Sequence, residues 1–360
     1  MDSSRVIAVY VTGHGFGHAV RVAEVLRVLL ARRSEVVAHV RSSVPAWLFP
    51  ATEGRLVVHP VKTDVGVCQP NALVTDLAGT LERLDDFATS WAARLDRELA
   101  WIRELGPRLV FGDIPPIAFV TASAAGIPSL ALGNFSWDWV YRSYIPHDPR
   151  FGMHAESAAS CYRRAEGLLR LPFHGEMIPF RRVTDLPLIV RRSPLSRREA
   201  RAALGFSLEG PLVLLSFGGA GYSEISFDGL ARIPEIQFLT TEKGLEAASN
   251  VRRIERLEID YTTLLRACDA VVTRPGYGIV SASLANGVRV LYTSRGEFPE
   301  FPILAAALER HGTACQVSPE AIRSGDLAEA LRELLSRPVG EASLETNGAE
   351  LAAEAIEKWL

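Results

Sequence analysis

The feature that most constrains the fold of this 360-residue chain is a strand, glycine turn and helix unit that occurs in both halves. At the amino end, residues 5–11 form an apolar, β-branched run, followed by a glycine-rich turn and by apolar residues at helical spacing. A similar unit begins at residues 212–216. Strands that alternate with helices pair in parallel, so the sequence predicts an α/β fold with doubly wound sheets.

Apolar periodicity places further elements along the chain. The other predicted strands are residues 35–40, 108–111, 129–132, 270–273 and 289–292. The predicted helices cover residues 73–105, 117–125, 264–267, 279–286, 327–335 and 349–360. Residues 171–198 are rich in arginine and proline and have little periodicity, which indicates a connection between two domains.

Composition disfavours several classes of protein. The net charge of −3 gives no basic surface for nucleic acid. The longest uncharged run, residues 114–137, is interrupted by prolines and glycines, so no membrane-spanning segment is expected. The four cysteines are far apart and no signal peptide opens the chain, so we expect reduced thiols and a cytoplasmic location.

The strongest local motif is Gly-His-Gly-Phe-Gly-His at residues 13–18. Glycines let the backbone approach a ligand closely, and the helix that follows offers free N–H groups. The motif is not the dinucleotide fingerprint, because its last position is histidine, and it lacks the lysine of a phosphate-binding P-loop. We interpret Gly13, Gly15 and Gly17 as substrate-binding positions.

The two histidines of this motif have three interpretations. In the first, a neutral imidazole is the general base that deprotonates an acceptor hydroxyl. In the second, His14 and His18 chelate a metal, which is disfavoured because the motif has no acidic residue and the chain has no Asp-x-Asp. In the third, a histidine only caps the turn or packs. A catalytic role is favoured for His18, and both outcomes stay open for His14.

Polar residues also follow two other strands of the amino-terminal half. Asp113 comes after residues 108–111, where it orients His18, binds a sugar hydroxyl or caps the next helix. Asn134, Trp137 and Asp138 come after residues 129–132. Their aromatic and polar groups suit a carbohydrate, and packing is the alternative.

Two glycine turns follow strands in the carboxyl-terminal half. Gly218 and Gly219 lie in the first turn. Arg274 precedes a helix start in the second, where it is predicted to hold a diphosphate without metal, a surface ion pair being the alternative. The other predicted donor-binding residues are Gly276, Tyr277, Gly278, Ser281, Arg295, Glu297 and Glu300. For the two glutamates, a solvated loop is the alternative.

At these residues the chain resembles the GT-B glycosyltransferases, in particular the glycosyltransferase-like amino-terminal region of the L-arabinokinases. The resemblance rests on residues 11–19, 134–138, 186–192 and 276–281, and a more distant similarity is to the lipid-II-forming N-acetylglucosaminyltransferases. It implies two Rossmann-like domains, residues 1–175 and 176–345, that face each other across a cleft, with a last helix in 346–360 that crosses back. The kinase half of the arabinokinases has no counterpart, so ATP-dependent phosphorylation is not expected.

The resemblance implies metal-independent transfer of a sugar from a UDP-, dTDP- or GDP-linked donor to a hydroxyl of a small molecule or glycan, with no cofactor. Inversion at the anomeric carbon is favoured. His18 matches the histidine on the acceptor side, and residues 276–281 match the helix start that holds the donor diphosphate. One departure is Ala282, where relatives often carry a glutamate. The alternatives are a non-catalytic sugar-nucleotide sensor, which Ala282 favours, and an epimerase or hydrolase on the same fold.

Overall fold

The computed structural model describes residues 5–70, 74–218, 225–241, 248–254, 260–339 and 344–360. The chain forms two compact units. The first comprises the residues up to Cys68, Asp76–Ile189 and Glu345–Leu360, and the second comprises Gln69–Thr75 and Val190–Leu344. The division after Ile189 differs from the boundary predicted at residue 175.

The first unit is built on a seven-stranded parallel sheet. Its strands are β1 (Arg5–Val11), β2 (Val36–Ser42), β3 (Leu56–Pro60), β4 (Leu109–Asp113), β5 (Ser129–Gly133), β6 (Gly167–Arg170) and β7 (Val183–Asp185). In the order β3-β2-β1-β4-β5-β6-β7, the direction of winding changes between β1 and β4. In open parallel sheets, ligands bind outside the carboxyl ends of the strands at such a switch point.

The helices that cover this sheet are α1 (Phe16–Arg32), α2 (Leu77–Thr89), α3 (Trp91–Leu105), α4 (Pro116–Ala125), α5 (Trp137–Ser143) and α6 (Arg150–Tyr162), with a short 3₁₀ helix at Ala46–Leu48. Residues 73–105 are largely helical, as predicted, but they form two helices with a break at Ser90, between α2 and α3. At the break, Ser90 Oγ donates to the carbonyl of Phe87 at 3.1 Å, and such a side-chain bond competes with helical bonding of the backbone.

The segment predicted to connect two domains, residues 171–198, contains the division between the two units, after Ile189. It also contributes β7 to the edge of the first sheet, where β7 pairs in parallel with β6. All three residues of β7 are exposed. A three-residue strand without a buried face has no apolar alternation, so periodicity does not reveal it.

The second unit has a six-stranded parallel sheet in the order β10-β9-β8-β11-β12-β13. Its strands are β8 (Leu212–Leu215), β9 (Gln237–Thr240), β10 (Val251–Arg253), β11 (Ala270–Thr273), β12 (Arg289–Tyr292) and β13 (Ala314–Gln316). Its helices are α7 (Arg197–Ala203), α8 (Phe227–Ala231), α9 (Tyr261–Ala267), α10 (Tyr277–Asn286), α11 (Glu300–His311), α12 (Pro319–Ser324) and α13 (Ala328–Ser336). The two doubly wound parallel sheets confirm the predicted α/β class.

The last helix, α14 (Gly348–Glu357), belongs to the first unit. The backbone N–H of Gly348 donates to the carbonyl of Leu188 at 3.1 Å. Arg32 on α1 donates to Glu354 on α14 at 3.2 Å. An apolar face on α14 is buried, formed by Ala349, Ala352, Ala353 and Ile356. The carboxyl terminus therefore packs with the amino-terminal sheet.

No helix in the described ranges has the length and apolar character needed to cross a membrane. All four cysteines, Cys68, Cys161, Cys268 and Cys315, are free of disulfide bonds.

Candidate active site

The glycine turn after β1 has a conformation that only glycine adopts readily. Gly15, the residue before α1, has φ +80°, in the region where a side chain is strained. At Gly13, a Cβ atom would lie 2.1 Å from Ser43 Oγ, so the turn packs closely on its neighbour. The turn ends where α1 begins at Phe16, which places Gly17 and His18 in the first turn of that helix.

His18 meets Asp113 because β1 and β4 are neighbours and Val11 is in register with Asp113. His18 Nδ1 lies 2.9 Å from Asp113 Oδ1, and the two residues are 6% and 0% exposed. Burial alone raises the pKa of Asp113, but the charges of Arg21 and His18 outweigh this effect and hold the pKa below its ordinary value. An ionised carboxylate only accepts hydrogen bonds, so a hydrogen bond within this pair has Nδ1–H of His18 as its donor.

Three further side-chain hydrogen bonds extend this pair into a cluster. Arg21, one turn after His18 on α1, donates from Nε to Asp113 Oδ2 at 2.5 Å and from Nη2 to Oδ1 at 2.7 Å. Its Nη1 donates to Asn134 Oδ1 at 2.7 Å. Both Arg21 and Asn134 are buried. Asn134, which was predicted to bind substrate, therefore holds Arg21.

The sequence analysis missed Arg21 and a second buried carboxylate, Asp64. The signal for Arg21 was present, since it lies one turn after His18 on the same side of α1. Asp64 lies in irregular chain after β3 and accepts from Trp137 Nε1 at 2.8 Å. Burial raises its pKa, and hydrogen bonds from Thr12 and Trp137 partly offset this. No sequence pattern marks Asp64.

Trp137 and Asp138, which were predicted to bind a carbohydrate, are both buried. Trp137 is 0% exposed, with its ring stacked on Tyr141 at 5.8 Å. Asp138 is also 0% exposed and accepts from Ser136 Oγ at 2.5 Å. Because protein covers both side chains, neither presents a face or an oxygen to a sugar. The alternative, packing, is what the structure shows.

His14 occupies a different position from His18. Its ring is half-buried and lies edge-on to Trp137, with 5.2 Å between ring centroids. A Cβ atom at Gly66 would come within 2.3 Å of His14 Nδ1, so that glycine makes room for the ring. His14 thus packs beside the glycine turn, while His18 contacts Asp113.

In the second unit, Arg274 and the start of α10 follow β11, as the motif predicts. Burial and the nearby charge of Arg295 lower the pKa of Arg274 to about 9. Arg274 is half-buried, and its Nη1 donates to Gln69 Oε1 at 3.1 Å. Among the described residues, no atom lies within 4 Å of the place where a Cβ of Gly276 would be. Tyr277 is buried and Gly278 is half-buried.

Other predicted donor-binding residues of this unit are already engaged within the protein. Arg295 donates from Nη1 to Glu300 Oε2 at 2.7 Å, and both side chains are buried. Ser281 Oγ donates to the carbonyl of Tyr277 at 2.7 Å, within its own helix. The expectation that Ser281 and Glu300 face a ligand is therefore not supported by their contacts.

The remaining predicted positions of this unit differ in exposure. Glu297 is exposed, as expected of a loop. Gly218 is exposed and has φ +83°. Gly219 lies outside the described residues.

The chain was compared with known proteins by sequence and by fold. No protein-family model matches the chain. L-arabinokinase of Arabidopsis thaliana is 33% identical over 364 residues, which cover 98% of this chain and 34% of that protein. The chain therefore spans about a third of the length of this relative.

Two solved structures show the same fold over nearly the whole chain. The glycotransferase of kitacinnamycin matches with a TM-score of 0.67 and 20% identity, covering 99% of each chain. UGT2 of Phytolacca americana, complexed with UDP-2-fluoro-glucose and pterostilbene, matches with a TM-score of 0.61 and 14% identity, covering 99% of this chain and 93% of that one. The predicted GT-B fold and the similarity to L-arabinokinase are confirmed.

Proposed function

We propose that this chain, which has the GT-B fold and is similar to part of L-arabinokinase, is a glycosyltransferase that moves a sugar from a nucleotide-sugar donor to a hydroxyl acceptor. The observation that carries the proposal is the buried pair of His18 and Asp113, with 2.9 Å between Nδ1 and Oδ1. A histidine that is oriented by a carboxylate through one nitrogen is a general base at the other. The pair lies at the carboxyl ends of β1 and β4, where parallel sheets bind ligands.

In the proposed step, His18 Nε2 accepts the proton of the acceptor hydroxyl while that oxygen bonds to the anomeric carbon of the donor. The bond between this carbon and the diphosphate oxygen breaks, and its electron pair leaves with the nucleoside diphosphate. Attack from the side opposite the leaving group inverts the anomeric configuration. Asp113 stabilises the imidazolium that forms.

The donor diphosphate is proposed to bind at the start of α10. This helix offers backbone N–H groups beside open space at Gly276. Arg274 adds a buried cation, and the lowering of its pKa to about 9 by burial and by Arg295 is relieved by an anion. Arg295 Nε is buried, and it has no hydrogen-bond partner in the described part of the chain. These groups balance the leaving-group charge without a metal ion, so transfer is expected to be unchanged by EDTA.

Donor binding is the first test. Isothermal calorimetry with UDP-, dTDP- and GDP-linked sugars is expected to show one class binding with a Kd of about 1–100 μM. UDP-sugars come first, because UGT2 was crystallised with UDP-2-fluoro-glucose. Arg274→Ala is expected to weaken binding about tenfold or more, whereas Arg332→Ala, which removes an exposed arginine of the same unit, leaves it unchanged. Absence of binding to all three classes contradicts the proposal.

Turnover is the second test. With the bound donor and a panel of hydroxyl acceptors, His18→Gln is expected to lower kcat about 100-fold or more while donor binding stays intact. His147→Gln, a change at an exposed histidine of the first unit, is the control. Full transfer by a folded His18→Gln protein contradicts the assignment of the base.

A second candidate is a sugar-nucleotide sensor that binds donor without transfer. Ala282, which is buried on α10, favours it because relatives often carry a glutamate there. Donor binding with no sugar transferred to any acceptor supports the sensor. Release of free sugar from the donor without acceptor indicates a hydrolase instead.

A further inference from the structure

We propose that Arg21 is a positioning residue of the His18–Asp113 pair, which keeps the His18 imidazole neutral and ready to accept a proton. This inference rests on the proposed function. Arg21 makes three hydrogen bonds of 2.5–2.7 Å within the cluster, two to Asp113 and one to Asn134. Its Nη2 also lies 2.9 Å from His18 Nδ1. The guanidinium therefore touches every other member of the cluster.

The charges of the cluster explain why this contact matters. A buried histidine and a buried carboxylate by themselves favour the ion pair, in which the imidazole has taken up a proton. Arg21 already neutralises Asp113 through two hydrogen bonds. The cluster is then uncharged with a neutral imidazole and carries one positive charge with an imidazolium. Since the site is buried, the uncharged form is favoured.

Arg21 also fixes the position of the Asp113 carboxylate. A planar guanidinium bonded to both carboxylate oxygens fixes the plane and position of that carboxylate. Asp113 Oδ1 then accepts from His18 Nδ1–H at a fixed place. The bond from Arg21 Nη1 to Asn134 ties the same unit to the end of β5. Asp113 can therefore orient the ring without protonating it.

Two other side chains, Phe135 and Asp64, also act on His18. Phe135 lies edge-on to the ring, with 5.4 Å between centroids, and carries no charge. Asp64 interacts with His18 through its charge, while its own hydrogen bonds come from Thr12, Trp137 and the backbone of Gly13. Arg21 and Asp113 are thus the charged groups in direct contact with the ring.

The test reads the charge state of His18 directly and needs no substrate. Long-range ¹H–¹⁵N spectra of histidine-labelled protein, assigned with His18→Gln, are expected to show a neutral ring with its proton on Nδ1 at pH 7. In Arg21→Met, about half or more of the His18 rings are expected to be imidazolium at pH 7. Arg27→Met is the matched control, because Arg27 is a half-exposed arginine of the same helix that pairs with Glu24.

Kinetics distinguish this role from simple support of the fold. In Arg21→Met, the acid limb of the kcat profile is expected to move up by about one to two pH units, with kcat reduced about tenfold or more at pH 6 and little change in KM. Arg21→Lys keeps the charge, so its pH profile of kcat is expected to return toward that of the unmutated protein. Its kcat is expected to stay lower, because lysine cannot make the bidentate contact with Asp113. A merely structural role lowers kcat equally at every pH and leaves the profile in place.

Two results overturn the proposal. One is a neutral His18 in folded Arg21→Met, together with an unmoved pH profile. The other is found in the unmutated protein, so it holds even where the variant fails to fold: an imidazolium at pH 7, or a neutral ring protonated on Nε2. If Arg21→Met charges His18 but no donor binds, the coupling of Arg21 to His18 stands and the proposed transferase activity fails.

Discussion

At the scale of single residues, the neighbours of a buried carboxylate decide its chemistry. Asp113 is the last residue of β4, Asp138 comes after β5, and both are 0% exposed. The pKa of Asp113 is lowered, because Arg21 and His18 outweigh the effect of burial. The pKa of Asp138 is raised, because burial outweighs its bond from Ser136 and the charge of Arg142. Of these two carboxylates, Asp113 is the one whose pKa its neighbours lower and the one that contacts a histidine.

Asp113→Asn is expected to destabilise the protein by about 3–5 kcal/mol, because it removes the carboxylate that Arg21 faces in a buried site. Asp185→Asn is the matched control, since Asp185 also pairs with an arginine but is 68% exposed, and its loss is expected to cost at most about 1 kcal/mol. Urea unfolding at pH 7 measures both values. Equal losses for the two variants contradict the burial argument.

At the scale of elements, the ends and edges of the strands carry the polar groups. Parallel strands bury their centres, so polar side chains collect where β1, β4 and β5 end in the first sheet and where β11 ends in the second. At the edge of the first sheet opposite β7, strands β2 and β3 carry a pair of histidines. His39 Nδ1 and His59 Nε2 lie 3.0 Å apart, with nearly parallel rings.

Acid is expected to weaken this edge. Burial and the neighbouring ring lower the pKa of His39 from 6.5, and burial and Arg41 lower that of His59. The unfolded chain then binds more protons just below pH 6.5, so stability falls as the pH drops below that value and is fully present above it. Thermal unfolding at pH 7 and pH 5.5 should show a smaller loss for His39→Gln than for the unmutated protein. His147→Gln should show the full loss; equal losses in all three proteins contradict the prediction.

Gly276→Ala tests the open start of α10. Its φ of −130° suits any residue, and no described atom lies within 4 Å of the new Cβ. The free energy of unfolding is therefore expected to change by no more than about 1 kcal/mol. A methyl group over the helix N–H groups is expected to weaken donor binding about tenfold in calorimetry. Unchanged binding places the diphosphate elsewhere.

At the scale of the whole molecule, each unit is assembled from stretches that are distant in the chain. The first unit takes α14 from the carboxyl end and packs it on α1. Gly348 makes this possible, because a Cβ there would lie 2.3 Å from the carbonyl oxygen of Pro187. A backbone oxygen cannot rotate away as a side chain can.

Gly348→Ala is therefore expected to destabilise the first unit by about 1–3 kcal/mol. Glu354→Ala, an exposed change on the same helix, is expected to stay within about 0.5 kcal/mol. Chemical denaturation followed by the fluorescence of Trp359, beside the end of α14, and of the other tryptophans measures both. An equal effect of the two variants contradicts the docking of α14 through Gly348.

Local sequence patterns were sufficient to predict the class of fold and the histidine that is proposed as the base. Apolar runs and glycine turns are local patterns, and they depend on residues only a few positions apart. They predicted the two parallel sheets, the turn before His18 and the helix start after Arg274. The segments shared with the arabinokinases added the GT-B fold.

The tertiary structure alone decided which side chains meet. Arg21 is 92 positions from Asp113 and 113 from Asn134, and Trp137 is 73 positions from Asp64, to which it donates. The order of the strands in the sheet brings these groups together, and that order is fixed by packing over the whole unit. The glycine motif thus identified the histidine, whereas packing over the whole unit places the arginine beside it.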